Sequence, residues 1–559
     1  MSDTISTDEQ LDATTALAFI SITQKHIEHV PPVLEPRGYY AYDDDVPDSM
    51  VSILRWIATS FVRGARGSNT VAAALSARPG TLTLYLAKTP GVPDDEDAKN
   101  SRAFVCALRR AMSQSQKSTV EAVTTLFEAA ISVSHRRFAH RVGAVLRMER
   151  VESEVEPRFN AIVDRWVAKG GVEKGDDEDA QGNSLRLFAR RRRLFSDKGL
   201  VDGEALLKLV FRRFITLVEA SRLAGFWHDD DSPQTEQTIA WAADCCQHAS
   251  ALLGSGFFEY FTSPHERRYL IIHSSVPEAE AKAMVAAAGG DAHWMKKLAK
   301  RLWCVARYRT DAFTFATEGF EYIRDALGTQ GYADFLSGGG GTVGDPVQVD
   351  WVATPPPPPR LGITLPPHCP LSLLDSMLEK HGLPHLNLDE TNPTHQAFSD
   401  AVRSLWWPGP PVATTTTTAA AAATTATTAA AAVGRGTNAQ CGAAVLVPHL
   451  HSEIQLIQFF DRHATGVAVH RNYIGASQLS CWACKAYMEG VNCCWQERRQ
   501  WPREREEEEE EEQEPWIVEG TSDRVKRDWL VPSDQAGRGV LELVQFKLSQ
   551  ALKMISHAF

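Results

Sequence analysis

The chain has 559 residues, of which 43% are hydrophobic and 23% charged, so it can form sizeable cores and is not a wholly disordered protein. This length is typical of about two to four domains. The formal net charge is −12, and the run Glu506–Glu512 supplies seven of the negative charges. A generally basic nucleic-acid-binding protein is therefore not indicated, although a local basic groove is compatible with the composition.

Residues 1–336 are predicted to form a mainly α-helical domain of unknown role. Apolar residues recur at i, i+3 and i+4 in five segments of this region. The five segments are Met50–Val62, Thr119–Val151, Glu204–Phe226, Thr235–Leu253 and Asp291–Tyr308. Acidic stretches such as Asp94–Asp97 are predicted to be loops between the helices. No repeat of fixed period is present in the sequence, so a solenoid is not expected.

The composition changes at residues 337–360, which are predicted to be a linker. Ser337–Gly341 is rich in glycine and Pro355–Pro359 is a short polyproline segment. The remaining residues, 361–559, are predicted to form a second domain with its core at about 395–559. The low-complexity tracts at 413–433 and 503–514 are predicted to be surface loops inserted into this domain. A compact fold tolerates such inserts, because long surface loops cost little closure entropy.

The cellular compartment is predicted from the cysteines and from the absence of targeting signals. Ten cysteines in a chain of this length do not form a disulfide framework. The acidic segment Met1–Glu9 is unlike a secretory or mitochondrial leader. The uncharged stretch Val412–Val433 consists mainly of Thr and Ala, which suit a linker better than a membrane span. We expect a cytoplasmic or nuclear protein without a signal peptide or transmembrane segment.

An ordered series of motifs lies within Ala443–Met488. A strand is predicted at Ala443–Val447, followed by His451-Ser452-Glu453 and a helix that runs to His463. A second strand is predicted at Asn472–Ser477, followed by Ser480-Cys481-Trp482-Ala483-Cys484 at the start of another helix, with Ser480 as its N-cap. His-x-Glu and Cys-x-x-Cys each arise by chance, whereas the complete series is far more restrictive.

The chemistry of this series suits a zinc site. Cys481 and Cys484 share one face of a helix, and the first helical turn favours thiolates. One imidazole and two thiolates leave a fourth tetrahedral position for water, which is typical of catalytic zinc. Glu453 and His451 can face one metal only at a strand-to-helix corner, where Glu453 would transfer protons without binding the metal.

The motifs resemble those of a known superfamily. His451-Ser452-Glu453 with Ser480–Cys484 is similar to the His-x-Glu…Pro-Cys-x-x-Cys signature of zinc-dependent cytidine-deaminase-like proteins. Tyr473–Cys481 and Trp529–Pro532 further resemble the fungal expansion of rickettsial-toxin-like nucleic acid or nucleotide deaminases. The resemblance covers roughly 395–559. Ser480 stands where nucleoside and nucleic-acid deaminases commonly have proline.

This resemblance implies a fold, a site and a reaction. The fold is an α/β/α three-layer sandwich, with Zn²⁺ bound by His451, Cys481 and Cys484 and with Glu453 as the proton shuttle. The implied reaction is hydrolytic deamination of a nucleobase in a nucleoside, nucleotide or nucleic acid, with zinc-bound hydroxide as nucleophile.

The alternative interpretation is a catalytically inactive interaction or scaffold protein with a structural zinc. In that case Cys493 or Cys494 would supply the fourth ligand and close the site. His449 is a second candidate for the imidazole ligand, but the spacing to Glu453 favours His451. Protein partners of the helical region are not indicated by the sequence.

Overall fold

The structure is a computed structural model of the chain. It describes residues 48–64, 70–149, 151–172, 203–223, 236–255, 257–258, 290–338, 345–352, 363–364, 445–446, 449–462, 473–478, 480–500, 516–518, 529–532 and 534–558, with short stretches inside 9–20 and 374–399. The low-complexity inserts, the polyproline segment, the glutamate run and His463 lie outside the described residues.

Helices account for most of the described residues. The helices are α1 Asp48–Ser60, α2 Asp95–Ser115, α3 Thr119–Leu146, α4 Val155–Val172, α5 Gly203–Leu223, α6 Glu236–Leu253, α7 Gly290–Thr314, α8 Phe320–Ser337, α9 Ser452–Arg462, α10 Trp482–Gln500 and α11 Gln535–Ala558. A 3₁₀ turn, Glu152–Glu154, precedes α4, and a π-helical turn, Phe315–Gly319, joins α7 to α8.

The strands form a mixed sheet of five and a separate pair. The strands are β1 Thr70–Arg78, β2 Thr81–Thr89, β3 Val347–Trp351, β4 Ile363–Thr364, β5 Val445–Leu446, β6 Tyr473–Ala476 and β7 Ile517–Val518. The sheet has the order β3-β2-β1-β6-β7. β1 is antiparallel to β2 and β6, whereas β3 is parallel to β2 and β7 is parallel to β6. β4 pairs with β5, which lies in the first predicted strand.

Each face of the sheet packs against its own group of helices. Along β1, Ala72 and Ala74 face a core formed with α9, α10 and α11, and Ala73 and Leu75 face a core formed with α1, α2, α3 and α8. This alternation follows from the two-residue period of a strand. Helices α3 to α7 enclose a further core away from the sheet. The site motifs therefore lie in the layer built from α9, α10 and α11.

The sheet joins parts of the chain that the sequence assigned to different domains. β1 and β2 lie within 1–336, β3 lies within the segment predicted as a linker, and β6 and β7 lie within 361–559. The division into independently folding domains stays a prediction. The pairing of β1 with β6 nevertheless joins residues 1–336 and residues 361–559 in one sheet.

The five helices predicted in the N-terminal part are present as α1, α3, α5, α6 and α7, with ends shifted by a few residues. The loop predicted at Asp94–Asp97 is wrong, because Asp94 is the N-cap of α2. Its carboxylate accepts the amide hydrogen of Asp97, and the Asp97 side chain accepts the amide hydrogen of Asp94. Acidic residues are favourable here since they complement the positive end of the helix dipole.

Gly475 in β6 allows α1 to pack directly against the sheet. A Cβ atom at this position would lie 2.3 Å from the carbonyl carbon of Leu54 and 2.4 Å from the amide nitrogen of Arg55. Only glycine fits at this distance, because Cβ atoms are not found so close to a backbone. The close approach brings Arg55 beside the end of β6. Among the described helices, none is long and apolar enough to cross a membrane.

Candidate metal centre

Two helix N-termini carry the predicted ligands. His451 immediately precedes α9, and its carbonyl oxygen accepts the amide hydrogen of Gln455 at 3.0 Å. Cys481 immediately precedes α10, and its carbonyl oxygen accepts the amide hydrogen of Lys485 at 3.1 Å. Each residue thus occupies an N-cap position, where the chain is not yet helical. The predicted N-cap Ser480 is corrected to Cys481, because α10 begins at Trp482.

The structure brings His451, Cys481 and Cys484 together. Their nitrogen and sulfur atoms all lie within 4.8 Å of one another. His451 Nδ1 is 3.2 Å from Cys484 Sγ and 3.5 Å from Cys481 Sγ, and the two sulfurs are 3.5 Å apart. Tetrahedral zinc would need separations of about 3.5 Å between N and S and about 3.8 Å between two sulfurs. The group therefore has the donor types and the spacing to hold a metal ion.

The two thiols have opposite electrostatic character. Burial raises the pKa of Cys481, but hydrogen bonds with Cys484 and His451 and the charge of the ring outweigh burial and lower this pKa to about 5. Burial raises the pKa of Cys484 well above its usual range, and the charges of Cys481 and Glu453 raise it further. The thiolate form is therefore favoured at Cys481 and disfavoured at Cys484.

Glu453 lies in the first turn of α9 beside the three donors. It is 5% exposed, and two hydroxyls hold its carboxylate. Ser480 Oγ donates to Oε1 at 2.9 Å, and Ser452 Oγ donates to Oε2 at 3.2 Å. The negative charge of Glu453 is close enough to raise the pKa of Cys484. The side chain that the sequence predicted as a proton shuttle is therefore buried, oriented and adjacent to the predicted ligands.

Trp529 is a neighbour of the site that sequence reasoning did not identify as functional. It is fully buried, and its backbone forms a parallel bridge with His449, two residues before His451. Its indole N–H has no hydrogen-bond partner among the described residues. The side chain is close enough to the thiol of Cys484 to lower its pKa. Such a donor stabilises a thiolate, and metal-bound thiolates accept hydrogen bonds of this kind.

The β1–β2 hairpin also supports the His451 segment. Thr89 Oγ1 donates to the carbonyl oxygen of Leu450 at 3.1 Å, and Gln455 Nε2 donates to the same oxygen at 2.6 Å. Gln455 Nε2 also contacts Thr89 Oγ1 at 3.2 Å. Thr70 Oγ1 lies 3.3 Å from Ser452 Oγ. Residues from the first 90 positions therefore fix the residue before His451 and the hydroxyl that orients Glu453.

The other candidate ligands lie elsewhere. Cys493 is exposed on α10, and a helix rise of 1.5 Å per residue puts it about 13 Å along the axis from Cys484. Cys494 is one residue further, and its side chain lies outside the described part of the structure. His449 does not contribute to the described metal-binding group, in which the imidazole is that of His451. Cys493 is therefore not placed to close the site.

Comparison with protein families supports the C-terminal assignment. Residues 450–533 match the family model described as "OTT_1508_deam:-like deaminase". This region is a deaminase-like domain, and it contains His451, Glu453, Cys481, Cys484 and Trp529. The matched range is shorter than the range of about 395–559 that the sequence analysis predicted for the resemblance. No curated protein and no solved structure matches the chain.

Proposed function

We propose that the protein is a zinc-dependent hydrolytic deaminase that acts on a nucleobase, free or in a nucleoside, nucleotide or nucleic acid. The observation that carries this proposal is the grouping of His451, Cys481 and Cys484 beside Glu453 within a deaminase-like domain. The three donors would hold Zn²⁺, and Glu453 would be the catalytic residue.

The layered architecture supports a cytidine-deaminase-like fold for this part of the chain. Helices cover both faces of the mixed sheet, as in an α/β/α sandwich. The His451 helix α9 and the Cys481 helix α10 pack on the same face. In such folds, ligands bind outside the carboxyl ends of the strands. Cys481 follows the carboxyl end of β6, which agrees with this rule.

The proposed reaction exchanges an amino group for an oxygen atom. Bound zinc would lower the pKa of a water molecule toward neutrality and thereby supply the nucleophile. Glu453 would accept a proton from the water and pass it to the ring nitrogen beside the amino-bearing carbon. The water oxygen would form the C–O bond at that carbon. Glu453 would then take the second proton from this oxygen and pass it to the amino group, so that the C–N bond breaks and ammonia leaves. Ser452 and Ser480 would hold the carboxylate in position for both transfers.

The alternative of a structural zinc requires a fourth protein ligand, and Cys493 and Cys494 are poorly placed to supply it. Three donors with an open fourth position are the pattern of a catalytic zinc.

Zinc content and ammonia release test the proposal with matched variants. We expect about one zinc per chain in the wild type and in Cys493→Ser, and loss of zinc in Cys481→Ser. Glu453→Gln should retain zinc but lower ammonia release about 10²- to 10⁴-fold, while Glu542→Gln, an exposed control on α11, should change neither. Suitable substrates are cytidine, adenosine and guanosine, their 5′-monophosphates, and single-stranded RNA and DNA.

Two outcomes would contradict the proposal. Folded wild type without zinc, or zinc that Cys481→Ser retains, would remove the metal assignment. Zinc that depends on Cys481, together with no ammonia release from any substrate, would instead favour the inactive scaffold.

A further inference from the structure

Three buried arginines from three helices meet at the end of β6. Arg55 of α1, Arg141 of α3 and Arg307 of α7 are 2%, 9% and 5% exposed. We call them the arginine cluster. Arg141 Nη2 donates to the carbonyl oxygen of Ser477 at 3.1 Å, and Arg307 Nη2 donates to the same oxygen at 3.4 Å. The guanidinium groups of Arg141 and Arg307 therefore place positive charge beside the segment that connects β6 to Cys481.

The described residues do not balance this charge. Asp311 Oδ2 accepts two hydrogen bonds from Arg55, at 3.1 and 2.9 Å. Arg141 and Arg307, by contrast, donate to the neutral oxygens of Ser477 and Thr59. Two guanidinium charges are therefore not matched by a hydrogen-bonded carboxylate within the part of the chain that the structure describes.

Aromatic rings surround these guanidinium groups. The guanidinium carbon of Arg307 lies 4.8 Å from the centre of the Trp303 ring, and that of Arg141 lies 5.3 Å from the centre of the Tyr308 ring. Cation–π contacts of this kind offset only part of the free-energy cost of burying a charge.

Polar atoms of the cluster also lack acceptors. Arg141 Nη1 and Arg307 Nε are both buried, and neither has a hydrogen-bond partner among the described residues. Burial and the neighbouring charges of Arg141 and Arg55 lower the pKa of Arg307 to about 10, so this group stays charged at neutral pH. Native proteins rarely leave buried donors without partners, because each such donor lowers the stability of the fold and charged donors lower it more.

We propose that the arginine cluster binds a phosphate group. Two guanidinium groups without a hydrogen-bonded carboxylate favour a dianionic ligand, and a phosphate monoester is largely dianionic at neutral pH. Its oxygens match the planar donor geometry of guanidinium groups, and they would accept hydrogens from Arg141 Nη1 and Arg307 Nε. The group belongs either to a nucleotide or to a resident phosphate compound. The inference goes beyond deamination and does not depend on zinc.

Thermal unfolding of the full chain tests this inference, with Arg141→Met as the central variant. In wild type, inorganic phosphate should raise Tm in a saturable manner relative to chloride at equal ionic strength. In Arg141→Met this shift should be lost, and Tm in phosphate should fall below that of wild type. Arg165→Met, which removes a surface ion pair with Asp291, is the matched control and should keep the phosphate response.

A phosphate compound that remains bound during purification would hide the shift, so bound phosphorus is measured as well. Acid-denatured wild type and Arg165→Met should then release at least about one phosphate per chain, and Arg141→Met should release none. If 5′-monophosphates raise Tm reversibly and nucleosides do not, the bound phosphate group belongs to a nucleotide. If the bound phosphorus is not displaced by excess nucleotide, the phosphate group belongs to a resident compound.

The opposite result has a distinct signature. Removing a buried charge that has no counter-ion is neutral or stabilising. Wild type with neither bound phosphorus nor a phosphate-dependent shift would overturn the inference, even if Arg141→Met failed to fold. Arg141→Met with Tm equal to or above that of wild type in phosphate would overturn it too. The same measurements on Cys481→Ser separate the inference from the proposed function, because loss of zinc should leave the phosphate response intact.

Discussion

The side chain of Trp529 lies close enough to the Cys484 thiol to lower its pKa, so it links the C-terminal segment to the candidate metal centre. We expect Trp529→Phe to weaken zinc binding about 10-fold, since donors to metal ligands typically contribute 10- to 100-fold in affinity. Competition with a chromophoric chelator measures this change. Trp516→Phe is the control, because Trp516 is buried in the same core but stacks on Phe460. Equal zinc affinity in Trp529→Phe and wild type would show that the contact is structural only.

The residues of the candidate site could be predicted where they lie close together in a sequence motif. His451, Glu453, Cys481 and Cys484 were grouped from the sequence, and the structure places them side by side, although their roles stay predictions. The contacts of Trp529, Thr89 and Gln455 could not be predicted. Trp529 is 45 residues after Cys484, and Thr89 is more than 360 residues before Leu450, so only tertiary structure brings them together.

At the scale of elements, the packing of α1 on β6 depends on Gly475. We expect Gly475→Ala to destabilise the fold by about 3 kcal/mol, because the added methyl group would overlap the backbone at Leu54 and Arg55. Gly539→Ala is a matched control in α11, where an added Cβ meets nothing within 4 Å. It should be stabilising by up to about 1 kcal/mol, because alanine is the better helix former. Urea denaturation measures the free energy of unfolding of both variants. Equal values for Gly475→Ala and Gly539→Ala would contradict the close approach of α1 to β6.

Helix α2 begins at a capping box that is sensitive to pH. Burial raises the pKa of Asp94, but hydrogen bonds from Arg63 and Asp97 and the charges of Lys88 and Arg63 outweigh it and hold the pKa below its usual range. The folded-state pKa is thus below the unfolded value of about 3.9, so the stabilisation is complete above that value and is lost as the pH falls.

We expect Asp94→Ala to cost about 1 kcal/mol at pH 7, as is typical of N-cap removal. The difference from wild type should narrow as the pH is lowered from 7 toward 3. Urea unfolding at several pH values measures it, with the exposed Asp95→Ala as control. A difference that grew at low pH would contradict the assigned direction of the pKa shift.

At the scale of the whole molecule, the shared sheet leads us to expect that the deaminase-like domain depends on the N-terminal region for folding. A fragment of residues 361–559 would lack β1, β2 and β3, and β6 would lose its neighbour β1. We expect this fragment to be unfolded or aggregated and to bind no zinc. Circular dichroism and zinc content compare it with the full chain. A folded, zinc-binding fragment would instead support the predicted domain division.

The sequence predicted five of the helices of this region, but it predicted neither α2, α4 and α8 nor the β1–β2 hairpin. Helix predictions relied on the 3.6-residue period, which survives wherever one face is buried. β1 is buried on both faces, and its run Ala72–Ala74 therefore shows neither the alternation nor the bulky residues of a typical strand. Its pairing with β6 is a long-range contact that local patterns do not encode.

The pairing of Ala73 with Gly475 means that β1 can gain its neighbour β6 only late in translation. About 400 residues separate these partners, and at 5–20 residues per second the ribosome needs about 20–80 s to synthesise them. During this interval β1 presents an unpaired edge to other nascent chains. The candidate metal centre also needs Cys481 and Cys484, which are made after β6, so a metal ion could bind there only once both strands have been synthesised. Slower elongation would lengthen the exposure of that edge without changing the final structure.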